Sequence, residues 1–125
     1  MSNDGDVVKP RPMHESLLAS SNMTKYLVDF SSLEWESPME GVRQKALVDN
    51  GKRLRMVEYF RKMPQHWCEK GHFGYILEGR LEIEFDGGTH LFKEGDGVFI
   101  PDGAVHKHRA KVLSEIVRVI FVEDI

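Results

Sequence analysis

The chain has 125 residues, enough for one domain of ordinary size and too few for a catalytic domain plus a separate regulatory one. Hydrophobic residues make up 41% and charged residues 30%, which excludes wholesale disorder. The formal charge of −3 argues against a generalised basic surface for nucleic acid, and the single cysteine, Cys68, excludes an intrachain disulfide framework.

Residues 1–23 read as an N-terminal arm, with a domain expected over 24–125. Lys9-Pro-Arg-Pro12 disfavours regular structure, because proline lacks an amide donor and restricts its neighbour. Ser16 to Met23 permits at most a short helical turn. The start, Met1-Ser-Asn-Asp-Gly-Asp6, is acidic and polar and lacks the pattern of a signal peptide. No apolar run is long enough for a membrane helix, so no membrane partner is expected. One free cysteine suits a reducing, cytoplasmic compartment.

From Tyr26 onward the pattern is β. Tyr26–Phe30 is a short candidate strand. Val42–Val48 and Arg53–Phe60 form a hairpin around Asn50-Gly51, which supplies the positive φ angles such a turn demands. In the second arm Leu54, Met56, Glu58 and Phe60 share one face. Arg53, Arg55, Val57 and Tyr59 share the other. The basic residues Arg53, Arg55, Arg61 and Lys62 read as a solvated strand face. Glu58 reads either as a pocket residue or as a surface one.

Short runs then follow at His72–Glu78, Leu81–Phe85, Thr89–Phe92, Val98–Ile100, Ala104–Ala110 and Ile116–Val122. Glycine or proline turns separate them every 8–12 residues, the signature of a β-sandwich or barrel. The fold class is therefore all-β. Trp67 and Phe73 have opposite parity to His66 and His72 and are expected outside the barrel.

Three of the six histidines lie in two stretches, His66-Trp-Cys68-Glu-Lys-Gly-His72 and Gly95-Asp-Gly-Val-Phe-Ile-Pro101-Asp-Gly103-Ala-Val-His106. The second stretch closely resembles the second motif of the cupin superfamily. Gly95, Pro101, Gly103 and His106 fill its four main positions, and Ala110 stands where the motif ends in Asn. The first stretch resembles the first cupin motif in part. Gly79 fits the closing Gly, His66 the first His, Cys68 replaces the second His and His72 replaces the Glu.

The resemblance spans roughly residues 40–122. It implies a double-stranded β-helix, or jelly-roll barrel, with a pocket inside, and commonly a homodimer. It implies a divalent metal held by His66, Cys68, His72 and His106. Imidazole and thiolate suit Zn, Fe, Ni, Cu or Mn, and the residues do not choose among them. His108 reads equally as a second pocket residue or as a solvent-facing one, and His14 and His90 as surface residues.

No catalytic residue is identified. The expected function is a metal-dependent cupin acting on a small polar metabolite by dioxygenase, lyase or isomerase chemistry. The alternatives are a non-enzymatic small-molecule binding module and a metal-free scaffold.

Overall fold

The structure, a computed structural model, describes residues 23–24 and 26–125. All but the end of the expected arm lies outside them. The chain divides into two units, Met1–Glu34 and Trp35–Ile125. In the first, β1 (Met23–Thr24) pairs with β2 (Leu27–Val28), and a 3-10 turn, η1 (Phe30–Ser32), follows, capped by the Asp29 side chain. The strand expected over Tyr26–Phe30 is thus reduced to two residues, and Tyr26 has a φ of 87°.

In the second unit every strand pairing is antiparallel. Its strands are β3 (Glu36–Met39), β4 (Val42–Asp49), β5 (Lys52–Phe60), β6 (His72–Glu78), β7 (Arg80–Phe85), β8 (Gly88–Lys93), β9 (Gly97–Ile100), β10 (His108–Val112) and β11 (Ile116–Asp124). They form a six-stranded sheet, β9-β6-β11-β5-β4-β3, and a three-stranded sheet, β10-β7-β8. Asn50 and Gly51 both have positive φ, so the β4–β5 hairpin closes as the Asn-Gly pair demands. Pro38 sits on the edge strand β3, where its missing amide costs no ladder bond.

The core lies between the sheets. The large sheet contributes Val57, Ile76, Val98, Ile100, Val117, Val119 and Phe121; the small sheet contributes Leu81, Ile83 and Val112. Each such side chain stabilises the fold by roughly 1.5–3 kcal/mol relative to exposure. This is the two-sheet barrel of the expected jelly-roll class.

Two expectations change. Ala104–Ala110 is not one strand. A 3-10 turn, η2 (Ala104–His106), comes first, and β10 begins at His108. The His106 amide donates to the Gly103 carbonyl and the Lys107 amide to the Ala104 carbonyl, so the chain coils before it extends. On β5 the inward face is Arg53, Arg55, Val57 and Tyr59. Arg55 is buried, not solvated, because an acidic partner waits inside. Glu58 points to the outer face and is buried there between Arg43, at 2.6 Å, and Arg118, at 2.7 Å. Those two guanidinium groups outweigh burial and lower its pKa.

Gly74, in β6, faces the Ile120 carbonyl of β11 so closely that a Cβ would overlap it. Gly74→Ala is therefore expected to destabilise the barrel by about 2–4 kcal/mol, measurable as a lower urea midpoint.

Candidate metal centre

Cys68 lies in the irregular segment between β5 and β6. One isolated bridge fixes it to β10: its amide donates to the His108 carbonyl at 2.8 Å, and the His108 amide donates to the Cys68 carbonyl at 2.9 Å. The following turn is held by Gly71, whose amide donates to the Asp102 carboxylate. A Cβ on Gly71 would overlap the backbone of Ile100 to Asp102, so only glycine lets the segment lie this close. His72 opens β6 immediately afterwards.

These constraints bring Cys68, His72 and His108 together. Their ligand atoms all lie within 4.8 Å of one another. His66 is not in the cluster. It is exposed at the edge of the adjoining cavity, and its Nδ1 lies 3.3 Å from the Pro64 carbonyl. No strand runs through His66 to Cys68, so strand parity does not carry both inward. His106 is not in the cluster either. It closes η2, and the one-turn coil separates its direction from that of His108. In the second motif the residue brought to the cluster is His108, two positions beyond the motif histidine.

Each imidazole is oriented by a second bond. His72 Nδ1 lies 2.6 Å from Glu123 Oε2, and since a carboxylate only accepts, Nδ1 carries the proton. His108 Nδ1 donates to the His106 carbonyl at 3.0 Å. Both rings therefore leave Nε2 as the nitrogen available to the cluster. The His108 Nε2 is buried without a hydrogen-bond partner. Ring packing adds restraint: His72 stacks on Phe121 at 4.7 Å and meets His108 edge-on at 5.2 Å.

Behind His72 stands a charged network that the sequence reading did not include. Glu123, in β11, is fully buried. It accepts from His72, from Arg53 at 2.7 Å and from Arg55 Nη2 at 2.7 Å; Arg55 Nη1 donates to Gln44 Oε1, also at 2.7 Å. Burial alone would raise the Glu123 pKa. His72, Arg55 and Arg53 reverse that and hold it at about 2. The alternation Val117, Val119, Phe121 continues inward to Glu123, and that was the available signal.

Electrostatics prepares the sulfur. Hydrogen bonds from the His108 and His72 rings outweigh burial and pull the Cys68 pKa down to about 5, and a cation would take the place of the ring protons that face the sulfur. Burial opposes the charged form of His72, but Cys68 and Glu123 prevail and its pKa is raised. Burial pushes Tyr59 up to about 12, so its phenol keeps its proton.

A thiolate and two imidazoles with available Nε2 atoms form a donor set for a borderline cation. The Glu123–His72 pair supplies the carboxylate–histidine support common behind metal ligands. Three ligands would leave a coordination position open. It would face a cavity of about 290 Å³, lined by both sheets and including Tyr59, Arg53, Leu81, Ile83, Ile100 and Phe121.

Among the described residues, no helix is long and apolar enough to cross a membrane. No curated protein matches the chain. Solved structures do. The polyketide cyclase RemF from Streptomyces resistomycificus is 21% identical, with 78% of each chain covered and a TM-score of 0.63. The Clostridium difficile EutQ protein is 17% identical, with 78% of this chain and 85% of that one covered and a TM-score of 0.60. The Fe(II) form of HppE is 14% identical, with 76% of this chain but 57% of that one covered and a TM-score of 0.62. At these identities the likeness shows a shared fold. Residues 57–123 match the family described as "Cupin domain", which is more than half of the chain. The chain belongs to the cupin family.

Proposed function

We propose that this cupin is a metal-dependent enzyme acting on a small metabolite, with Cys68, His72 and His108 as the protein ligands. The observation that carries this reading is the pair of histidines whose Nδ1 atoms are both engaged, at 2.6 Å and 3.0 Å, which leaves Nε2 of each as the ligand atom available beside the Cys68 sulfur. A buried Nε2 without a partner costs about 1–3 kcal/mol unless something occupies it. A divalent cation does so and supplies Lewis-acid or oxygen-activating chemistry when bound. Zinc, iron, copper and nickel all accept this donor set.

The chain's own part is orientation and enclosure. Glu123 and the His106 carbonyl fix the two rings, and an apolar wall lines the cavity beside them. His66, which lines the cavity, would contact a substrate and not the cation. The experiment is elemental analysis of untagged protein purified without a nickel column, beside Cys68→Ser. Near-stoichiometric metal is expected in the wild type. With Co(II), the thiolate-to-metal charge-transfer band of the wild type should vanish in Cys68→Ser. Wild-type protein that takes up no metal even after supplementation would overturn the reading.

We infer also that two copies pair through the outer face of the large sheet. Phe99, Phe73, Tyr75, Leu77 and Val122 are exposed there, and Phe73 and Phe99 pack at 4.7 Å. Contiguous apolar patches of this kind mark interaction sites, and a stable pair buries about 800 Å² per partner. The charges elsewhere on this face, Arg43, Glu58, Arg118 and Glu78, are already paired within the chain. A two-fold arrangement would lay like on like. Light scattering should give twice the chain mass, falling to the monomer in Phe99→Lys. The thiolate's need to stay reduced fits a cytoplasmic setting.

A further inference from the structure

The wall of the cavity has an uneven inventory of donors and acceptors. Its one carboxamide oxygen, Gln44 Oε1, is taken by Arg55. Glu123, just behind the wall, has both oxygens claimed by Arg53, Arg55 and His72. No carboxylate or carboxamide oxygen is left to accept from a ligand. Donors remain. Tyr59 lines the cavity, and its hydroxyl makes no hydrogen bond with any described residue. Arg53 lines it too, is partly exposed, and spends only Nε and Nη2 on Glu123.

Charge points the same way. Two interior arginines face one interior glutamate. A divalent cation on the Cys68 thiolate would add a further positive excess. The rest of the wall is aliphatic or aromatic, from Leu81, Ile83, Val98, Ile100 and Phe121. With the Cys68 sulfur given to the metal, an organic cation or a donor-rich ligand would find no carboxylate or carboxamide partner here and would lose its hydration with little return. At about 290 Å³ the space sits at the small end of ligand pockets.

Resting on the metal reading above, we propose that the cavity takes a small carboxylate with an apolar body. Its oxygens reach the open metal position, the Tyr59 hydroxyl and Arg53, and its hydrocarbon lies against the apolar wall. The sugar-like or cationic metabolites that a polar pocket would admit are disfavoured. Tyr59 is the specificity residue, because it is the neutral donor nearest to a free choice of partner.

The test is calorimetric titration of zinc-loaded protein with three probes of equal chain length: hexanoate, hexanol and hexylamine. Hexanoate is expected to bind at least about tenfold more tightly than hexanol, and hexylamine not to bind. Tyr59→Phe removes one oxygen and no packing. It should weaken hexanoate about tenfold and hexanol less, while leaving zinc content unchanged. Arg53→Lys, which keeps a cation beside Glu123, should weaken hexanoate less. Equal binding of hexanoate and hexanol, preference for hexylamine, or no effect of Tyr59→Phe would overturn the proposal. Zinc content read in the same samples separates the two claims. If no zinc is taken up, the metal reading falls, and the order of the three probes on metal-free protein still decides the carboxylate preference.

Discussion

Replacing His108 by alanine is expected to abolish metal retention, while replacing His106 leaves it nearly intact. Both residues lie in the second cupin motif, and by spacing His106 is the motif histidine. The barrel presents His108 instead. Its Nε2 is buried and unpartnered beside Cys68, and its Nδ1 is held by the backbone carbonyl of His106. That carbonyl is main chain, so His106→Ala preserves the bond that orients the ring. Loss of one of three protein ligands should lower affinity by more than the ~10–100-fold typical of losing a supporting residue. The measurement is metal content after dialysis against a weak chelator, with circular dichroism to verify the fold. Equal retention in both variants would remove His108 from the site. Loss only in His106→Ala would restore the motif's own histidine.

Glu123→Gln should be the most destabilising single change near the site. It leaves Arg55 buried with no anion, and breaking one side of such a pair costs on the order of 3–5 kcal/mol. The same network predicts the pH dependence. The Glu123 pKa is held at about 2 in the fold against an ordinary 4.5, so the folded state binds its proton more weakly than the unfolded chain does. Its stabilisation is therefore complete above about pH 4.5 and is lost as the pH falls through 2. A difference of that size corresponds to about 3 kcal/mol. Urea midpoints should fall between pH 5 and 2.5 in the wild type, and this part of the fall should be missing in Glu123→Gln. The variant should also bind metal ~10–100-fold more weakly, since His72 loses the carboxylate that orients it. A variant with wild-type stability at pH 7 would show that the arginines find water instead.

The hairpin at Asn50-Gly51 and the short strands between glycine turns were legible, because turn chemistry and period-two alternation are local. The presence of Cys68 and His72 in one site could also be read from the histidine-rich stretch that holds both. His108 could not be separated from His106, since the choice turns on one 3-10 turn of three residues with no distinctive composition. The inward direction of Arg53 and Arg55 was hidden for another reason. Both faces of β5 carry apolar residues, Leu54 and Met56 on one side and Val57 and Tyr59 on the other. Alternation defines two faces but does not say which is inside. Only the pairing of β5 with β11, a partner some seventy residues away, brings Glu123 opposite Arg53 and decides it.

That pairing also sets when the centre can exist. β11 is the last strand in chain order, yet it lies in the middle of its sheet, between β5 and β6. Arg53, Glu123 and His72 come from three neighbouring strands joined at this one place. A slip of one residue in β11 would turn Glu123 to the outer face and leave His72 without its carboxylate. The site is therefore assembled last, by contacts of long sequence separation that close slowly. During synthesis, a chain released only as far as β10 would expose the edges of β5 and β6 and hold its cation poorly. Cation uptake would then report completed folding and act as a late lock on the barrel, not as a nucleus for it.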